Sequence, residues 1–211
     1  MNKLTEQFFV NNPHGYFTNP EVVTLFPENN SRCGLIKRAI AKGEIVHIRR
    51  GLYCLAPKYQ KKMINLYELA QTVYGPSYIS LESALSWHGW IPEAVYSVTN
   101  ASLGKSKEFN TPLGIFTYTR IPQKVFYAGV ERKVDEAGYI FLIASPIKAL
   151  ADYVYVHKKN WQSLKPAIES LRIEPEDLET VTADDLDELI ENYTTRRVTN
   201  FLKALKRDLK L

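Results

Sequence analysis

The sequence predicts an α+β protein in two parts, a small basic N-terminal module and a larger mixed one. Three observations carry this. Helical periodicity dominates the first forty residues and gives way to a strand pair around Arg49-Arg50-Gly51. Short β-rich runs separated by Gly, Pro and Asn turns follow between residues 95 and 144. Helical patterns resume at Ser145 and run to the end, so strands precede helices instead of alternating with them. The larger part is therefore expected to hold an antiparallel sheet followed by C-terminal helices. The boundary falls near residue 60, giving modules 1–60 and 61–211.

Composition supports a packed globular chain. Of 211 residues, 45% are hydrophobic and 24% charged, enough apolar side chains for a core and too many for disorder. No apolar run approaches the ~18 residues of a membrane span. The start, Met1-Asn2-Lys3-Leu4-Thr5-Glu6-Gln7, has no signal-peptide apolar stretch, so a cytoplasmic location is expected. Two cysteines, Cys33 and Cys54, are too few for a metal cluster. The net charge of +4 is unevenly spread: residues 1–62 carry +6 and the remainder −2. Such asymmetry points to a polyanion-binding module joined to something else.

The first module reads element by element. Leu4, Phe8 and Phe9 give a first helix an apolar stripe, which stops near Asn11-Asn12-Pro13. Thr18-Asn19-Pro20-Glu21 starts a second: a cap, a proline where its missing N–H costs nothing, and an acid at the positive end. Val22, Val23, Leu25 and Phe26 follow, and Pro27 closes it. Asn29-Asn30-Ser31 caps a third helix, in which Leu35, Ile36, Ala39 and Ile40 recur at helical spacing until Lys42-Gly43 ends it. Ile45–Ile48 and Leu52–Leu55 then flank a tight basic turn.

Helix, short helix, helix and basic-tipped hairpin is the order of a winged helix-turn-helix. Opposite the apolar side of the third helix lie Gly34, Lys37, Arg38 and Ala41. Small residues at 34 and 41 let the backbone approach DNA while Lys37 and Arg38 reach phosphates or base edges. Asn30, Ser31 and Arg32 stand at the helix start, where Arg suits guanine and Asn adenine. Arg32 falls on the apolar side by angle, so its role depends on projecting from the helix end. The expected interface is phosphate anchoring by Lys37, Lys42, Arg50 and Lys58, with base reading by Asn30, Arg32 and Arg38, and Arg49 beside Arg50 on the wing. The same elements also suit a protein-binding adaptor.

Pro57–Lys62 is a short polar link, and Ile64, Tyr67, Ala70, Val73 and Tyr74 continue as an amphipathic helix closed by Gly75-Pro76. Tyr78-Ile79-Ser80 reads as a strand and Ser80–Gly89 as a capped helix. Strands are expected at 95–99, 115–119, 126–130, 132–134 and 139–144. Helices are expected from Ser145-Pro146, at 161–172, around 183–193, and after Thr194-Thr195, where Val198, Phe201, Leu202, Leu205 and Leu209 share one side.

Catalytic signatures are absent. His14, His47, His88 and His157 lack metal-ligand spacing, and no nucleophile elbow, phosphate loop or dinucleotide glycine pattern occurs. Leu103-Gly104-Lys105-Ser106 reads as a polar turn, and Glu82 and His88, six apart on a helix, face different sides. Trp87 and Trp90 are read as core beside Pro92. Glu82, Glu93 and Asp152 are the acids outside the 174–191 run that a Mg²⁺-dependent nuclease would need. No catalytic residue, cofactor or metal is assigned. The acidic run Glu174–Glu191 reads as a solvated face or a surface for a basic partner. The basic final helix (Arg196, Arg197, Lys203, Lys206, Arg207, Lys210) could pair with that run, touch DNA, or form a dimer seam.

Three runs carry a family resemblance: Ile48-Arg49-Arg50-Gly51-Leu52-Tyr53, then Ser80–Glu93 (SLESALSWHGWIPE), then Ser145-Pro146-Ile147-Lys148-Ala149-Leu150 with Asp152. In this order they resemble the AbiEi antitoxins of type IV toxin–antitoxin systems. The resemblance implies an N-terminal winged helix that binds inverted repeats in double-stranded operator DNA and represses its own operon. It also implies a C-terminal domain that counters a nucleotidyltransferase-like toxin without having to grip it. Arg49 and Arg50 then sit at the family's basic wing, and Lys37 and Arg38 on its recognition helix. Inverted repeats require two copies, on DNA if not in solution.

Overall fold

The computed structural model describes residues 1–211, the side chains of residues 29–31 excepted, and is a mixed α+β structure with two sheets. The chain folds as two compact units, residues 1–69 with 110–114, and residues 70–109 with 115–211. The division falls within a helix.

In the first unit, α1 (Lys3–Asn11), β1 (Tyr16–Thr18), α2 (Asn19–Leu25), α3 (Asn29–Ala41), β2 (Ile45–Arg49) and β3 (Leu52–Leu55) follow in order. The Asn2 side chain accepts the Leu4 N–H and caps α1; Glu21 reaches back 2.7 Å to the Thr18 N–H and caps α2. The strands pair antiparallel in the order β1-β3-β2. β1 was not expected, because three residues are too few to show alternation. Leu4, Phe8, Phe17, Val22, Ile36, Ala39, Ile45 and Leu55 form one buried cluster, with the Phe8 and Phe17 rings stacked 3.8 Å apart. Fully burying each such side chain stabilises by roughly 1.5–3 kcal/mol. Ile40, expected on the apolar side of α3, is instead 41% exposed. It sits at the edge of the apolar arc, while Ala39 and Ile36 hold its centre.

The second unit carries, residues 110–114 excepted, β4 (Ser77–Ile79), α5 (Leu81–Trp87), β5 (Ser97–Ser102), β6 (Lys107–Thr111), β7 (Gly114–Arg120), β8 (Val130–Val134), β9 (Ile140–Ala144), α6 (Pro146–Val156), α7 (Lys165–Leu171), α8 (Ala183–Asn192) and α9 (Arg196–Leu209). α4 (Leu66–Val73) precedes them. The sheet order is β6-β7-β5-β4-β9-β8. The expected antiparallel sheet is corrected to a mixed one: β4 pairs antiparallel with β5 but parallel with β9, and β5 runs parallel to β7. Chain reversals at β6 and β8 bring β7 and β9 back beside strands of the same direction, a pairing no local pattern encodes. Residues 126–129 form a turn, and β8 starts only at Val130. Central β4 is buried throughout. α5 and α6 pack together, and α6 also packs against α8 and α9.

Candidate functional site

Apart from Arg32, the described basic residues expected at the DNA interface fall on three places. Lys37 and Arg38 are exposed on α3, and the Arg38 guanidinium folds back over Gly34, where an added Cβ would lie 3.1 Å from its Nη1. Lys42 caps the end of α3, and Lys58 lies in the turn after β3. Both therefore sit at the open end of the β2–β3 hairpin, which the Ala56 N–H to Glu44 carbonyl bond of 2.9 Å closes. Arg49 and Arg50 occupy the other end, about 16 Å away at ~3.3 Å per residue.

That turn is anchored. The Asn19 N–H donates to the Gly51 carbonyl at 2.8 Å, and Gly51 takes φ +76°, a conformation that favours glycine. The β2–β3 register shifts between His47 and Arg49, a bulge that re-aims Arg49. Its Nη1 donates to the Arg50 carbonyl at 3.1 Å, and the side chain is half-buried, while Arg50 is exposed. Arg32, expected to read bases, is turned inward. Its Nη1 donates to the Phe26 and Pro27 carbonyls at 3.3 and 3.4 Å, at the junction of α2 and α3. Its place on the apolar side of α3 aims it at those helix-end carbonyls. The side chains of Asn30 and Ser31 lie outside the described residues. Among the described residues, Lys37, Arg38, Arg50 and Lys58 form no ion pair; the Lys58 ammonium lies 4.9 Å from the Tyr59 ring centre.

The second unit holds a cleft of about 590 Å³. Its floor is one face of β5 and β7, where parallel pairing sets Thr99 beside Thr117 and Ala101 beside Thr119. Phe116 and Tyr118 on the opposite face are buried, whereas Thr117 and Thr119 are half-exposed. Leu81, Ile91, Val95 and Val156 give apolar walls, and Glu82, Glu93, Tyr96, Tyr153 and His157 are the polar and aromatic lining. Glu82 Oε1 lies 2.8 Å from His157 Nε2, and Glu93 pairs with Arg172. Burial raises the Glu82 carboxyl, but hydrogen bonding, first from His157, holds it below the usual carboxylate range. Tyr153 is pushed up by burial and then by the charges of Glu82 and Glu93. Glu82 thus pairs with His157, while His88 Nε2 lies 2.9 Å from the Ala144 carbonyl. Trp90 is core as expected, and Trp87 is 40% exposed.

The second unit also holds a buried polar network. Lys148 Nζ contacts Gln123 Oε1 at 2.8 Å, Asp152 Oδ1 at 2.6 Å and Tyr193 Oη at 2.6 Å, using all three of its donors. The Asp152 carboxylate also accepts from Ser80 Oγ at 2.7 Å, Tyr78 Oη at 3.1 Å and Tyr193 Oη. Burial, and then Asp152, hold the Tyr78 and Tyr193 hydroxyls well above their usual range. The sequence pattern marked Asp152 as a candidate metal ligand and, with Lys148, as part of the family resemblance, but it did not point to the Lys148–Asp152–Tyr193 network or to the pairing of His157 with Glu82. The available signal was a Lys–Asp pair one turn apart inside the otherwise apolar PIKALADYVYV. Glu82, Glu93 and Asp152 go to separate partners, and among the described residues no three acidic, histidine or cysteine side chains could hold a metal ion. The basic final helix packs along α8 of the acidic run, and among the described residues the ion pair between them is Lys206 Nζ to Asp187 Oδ2 at 2.7 Å. No helix among the described residues is long and apolar enough to cross a membrane.

No protein-family model matches the chain, and no curated protein matches it.

Proposed function

We propose that the chain is a DNA-binding repressor and antitoxin of the type IV kind, acting without catalysis. Residues 1–60 serve as a winged helix-turn-helix on double-stranded operator DNA, with α3 in the major groove and the Arg49-Arg50 turn as its wing. The observation that carries this reading is the outer face of α3: exposed Lys37 and Arg38, bound to no carboxylate, beside a glycine over which the flexible Arg38 side chain lies. Such a face combines charge for phosphates with room for close approach. The remaining contacts are Lys42, Arg50 and Lys58, with Asn30 and Ser31 at the helix start. Arg49 and Arg32 act indirectly, one bracing the wing and the other the α2–α3 turn. Two copies occupy the two halves of an inverted repeat.

The antitoxin part rests on the resemblance of the Ser80–Glu93 and Ser145–Asp152 runs. The larger part of the chain counters a nucleotidyltransferase-like toxin, and direct contact is not required.

The test is filter binding to the DNA upstream of the chain's own coding sequence. Neutralising roughly five phosphates per subunit gives a log–log salt slope near −4 to −5. Replacing Arg49 and Arg50 together with alanine abolishes retardation and leaves protection from the toxin intact. A flat salt response, or an unchanged affinity in the double variant, overturns the assignment.

A further inference from the structure

The cleft of the second unit is lined by none of the residues proposed to meet DNA, yet it has the makings of a ligand site. Its volume of about 590 Å³ lies in the range of small-molecule pockets. Its lining charges are unbalanced: two carboxylates, Glu82 and Glu93, against the single imidazole of His157. Each carboxylate already draws a cationic or proton-bearing partner from the fold, His157 for Glu82 and the exposed Arg172 for Glu93. The hydroxyls of Ser97, Thr99 and Thr117 add polar groups to the floor.

A second feature is independent of charge. Leu81, 3% exposed and on the cleft wall, has φ +56°, a left-handed conformation costing a non-glycine residue about 1–2 kcal/mol. It is held there on both sides. The Ser80 N–H donates to the Thr99 carbonyl at 3.1 Å, Thr99 Oγ1 donates to the Ser80 carbonyl at 2.6 Å, and Ser80 Oγ donates to Asp152 at 2.7 Å. Behind it, the Ser83 N–H donates to Thr99 Oγ1 at 2.9 Å and the Thr99 N–H to Ser83 Oγ at 2.8 Å. Strain that the surroundings over-determine in this way collects at binding sites, where it fixes a wall in advance. Here it sets the Leu81 side chain and the Glu82 carboxylate on the same cleft.

We propose that this cleft binds an organic cation, a primary ammonium or guanidinium carried on an apolar stem. The stem lies along Leu81, Ile91, Val95 and Val156, and the head displaces Arg172 from Glu93 or bridges to Glu82. A free diamine and the basic side chain of a peptide both have this chemistry. An anion is disfavoured by the two carboxylates, whereas a cation gains charge-assisted contacts with them.

The experiment titrates the full-length chain calorimetrically with 1,5-diaminopentane and with N-acetyl-arginine amide, using N-acetyl-citrulline amide as the uncharged counterpart. One saturable site for either cation, with none for citrulline amide, is expected. Stronger binding of the diamine identifies a free small molecule; stronger binding of arginine amide identifies a peptide side chain. Glu82→Gln and Glu93→Gln each weaken the dissociation constant about tenfold, a loss of about 1.4 kcal/mol. Both variants keep the wild-type circular dichroism spectrum, which separates lost binding from lost fold. Absence of binding by both cations, equal binding of citrulline amide, or indifference to both substitutions overturns the proposal.

Discussion

Lys148 Nζ lies 2.6 Å from Asp152 Oδ1, one turn along α6, and neither side chain reaches solvent. Burying two charges costs several kcal/mol per ion unless every lone pair and proton finds a partner. Here every donor of the ammonium is used, and the carboxylate accepts from Ser80, Tyr78 and Tyr193 as well. The network ties β4, α6, the segment around Gln123 and the chain after α8 to one point, so it specifies how the elements of the second unit meet.

Removing one ion strands the other. Lys148→Met and Asp152→Leu should each destabilise by about 3–5 kcal/mol. The double variant Lys148→Met/Asp152→Leu should lose far less than the sum, because no unpaired charge remains. Urea denaturation of the four proteins measures this. Additive losses would show that the two residues act separately.

The two buried tyrosines set an alkaline limit. Tyr78 and Tyr193 have folded-state pKa values raised well above 10 by burial and by Asp152. Their contribution is complete below pH 10 and is lost as pH rises beyond it, because unfolded tyrosine ionises while the folded one stays protonated. Lys148, pushed down by burial, has the opposite sign, but only until unfolded lysine has itself lost its proton near pH 10.4. Above that, the stability of the chain should fall by about 1.4 kcal/mol per pH unit for each tyrosine. Tyr193→Phe should reduce the slope by one such increment in urea denaturation between pH 10.5 and 11.5. An unchanged slope would mean that Tyr193 is not protonated in the folded protein.

Much of this architecture was legible in the chain. Thr18-Asn19-Pro20-Glu21 and Ser145-Pro146 announced helix starts that the structure places at α2 and α6, because capping is a short-range interaction, and α9 starts after Thr195 although that side chain makes no cap hydrogen bond. β1 and the β4/β9 and β5/β7 parallel pairs were not legible, since pairing partners lie far apart in sequence and strand direction leaves no local trace. The candidate sites divide in the same way. The exposure of Lys37 and Arg38 follows from helical angle, whereas Arg32, expected to read bases, turns inward to the helix-end carbonyls on the apolar side of α3. Glu82 with His157 could not be read, for 75 residues separate them.

The left-handed backbone at Leu81 makes a prediction that cavity effects cannot imitate. Leu81→Ala and Leu81→Gly remove nearly the same buried side chain. Glycine alone escapes the left-handed penalty, so Leu81→Gly should be more stable than Leu81→Ala by about 1 kcal/mol. At Leu85, fully buried in the same helix with ordinary φ, the order should reverse by about 1 kcal/mol. Thermal unfolding of the four variants decides it. Alanine ahead of glycine at both positions would show that Leu81 is not strained.

Gly34 sets stability against recognition. A glycine inside α3 costs about 1 kcal/mol relative to alanine, and the nearest obstacle to an added methyl is the tip of the flexible Arg38 side chain at 3.1 Å. Gly34→Ala should therefore raise unfolding stability by about 0.5–1 kcal/mol, Arg38 swinging aside at small cost. If α3 meets operator DNA as proposed, the same methyl stands on that face, holding the helix off and displacing the Arg38 guanidinium. Affinity for operator DNA should fall about tenfold, equivalent to about 1.4 kcal/mol. Denaturation and mobility-shift measurements on one preparation read the two effects separately. A variant that is more stable and binds equally well would show that the Gly34 face of α3 meets something other than a duplex.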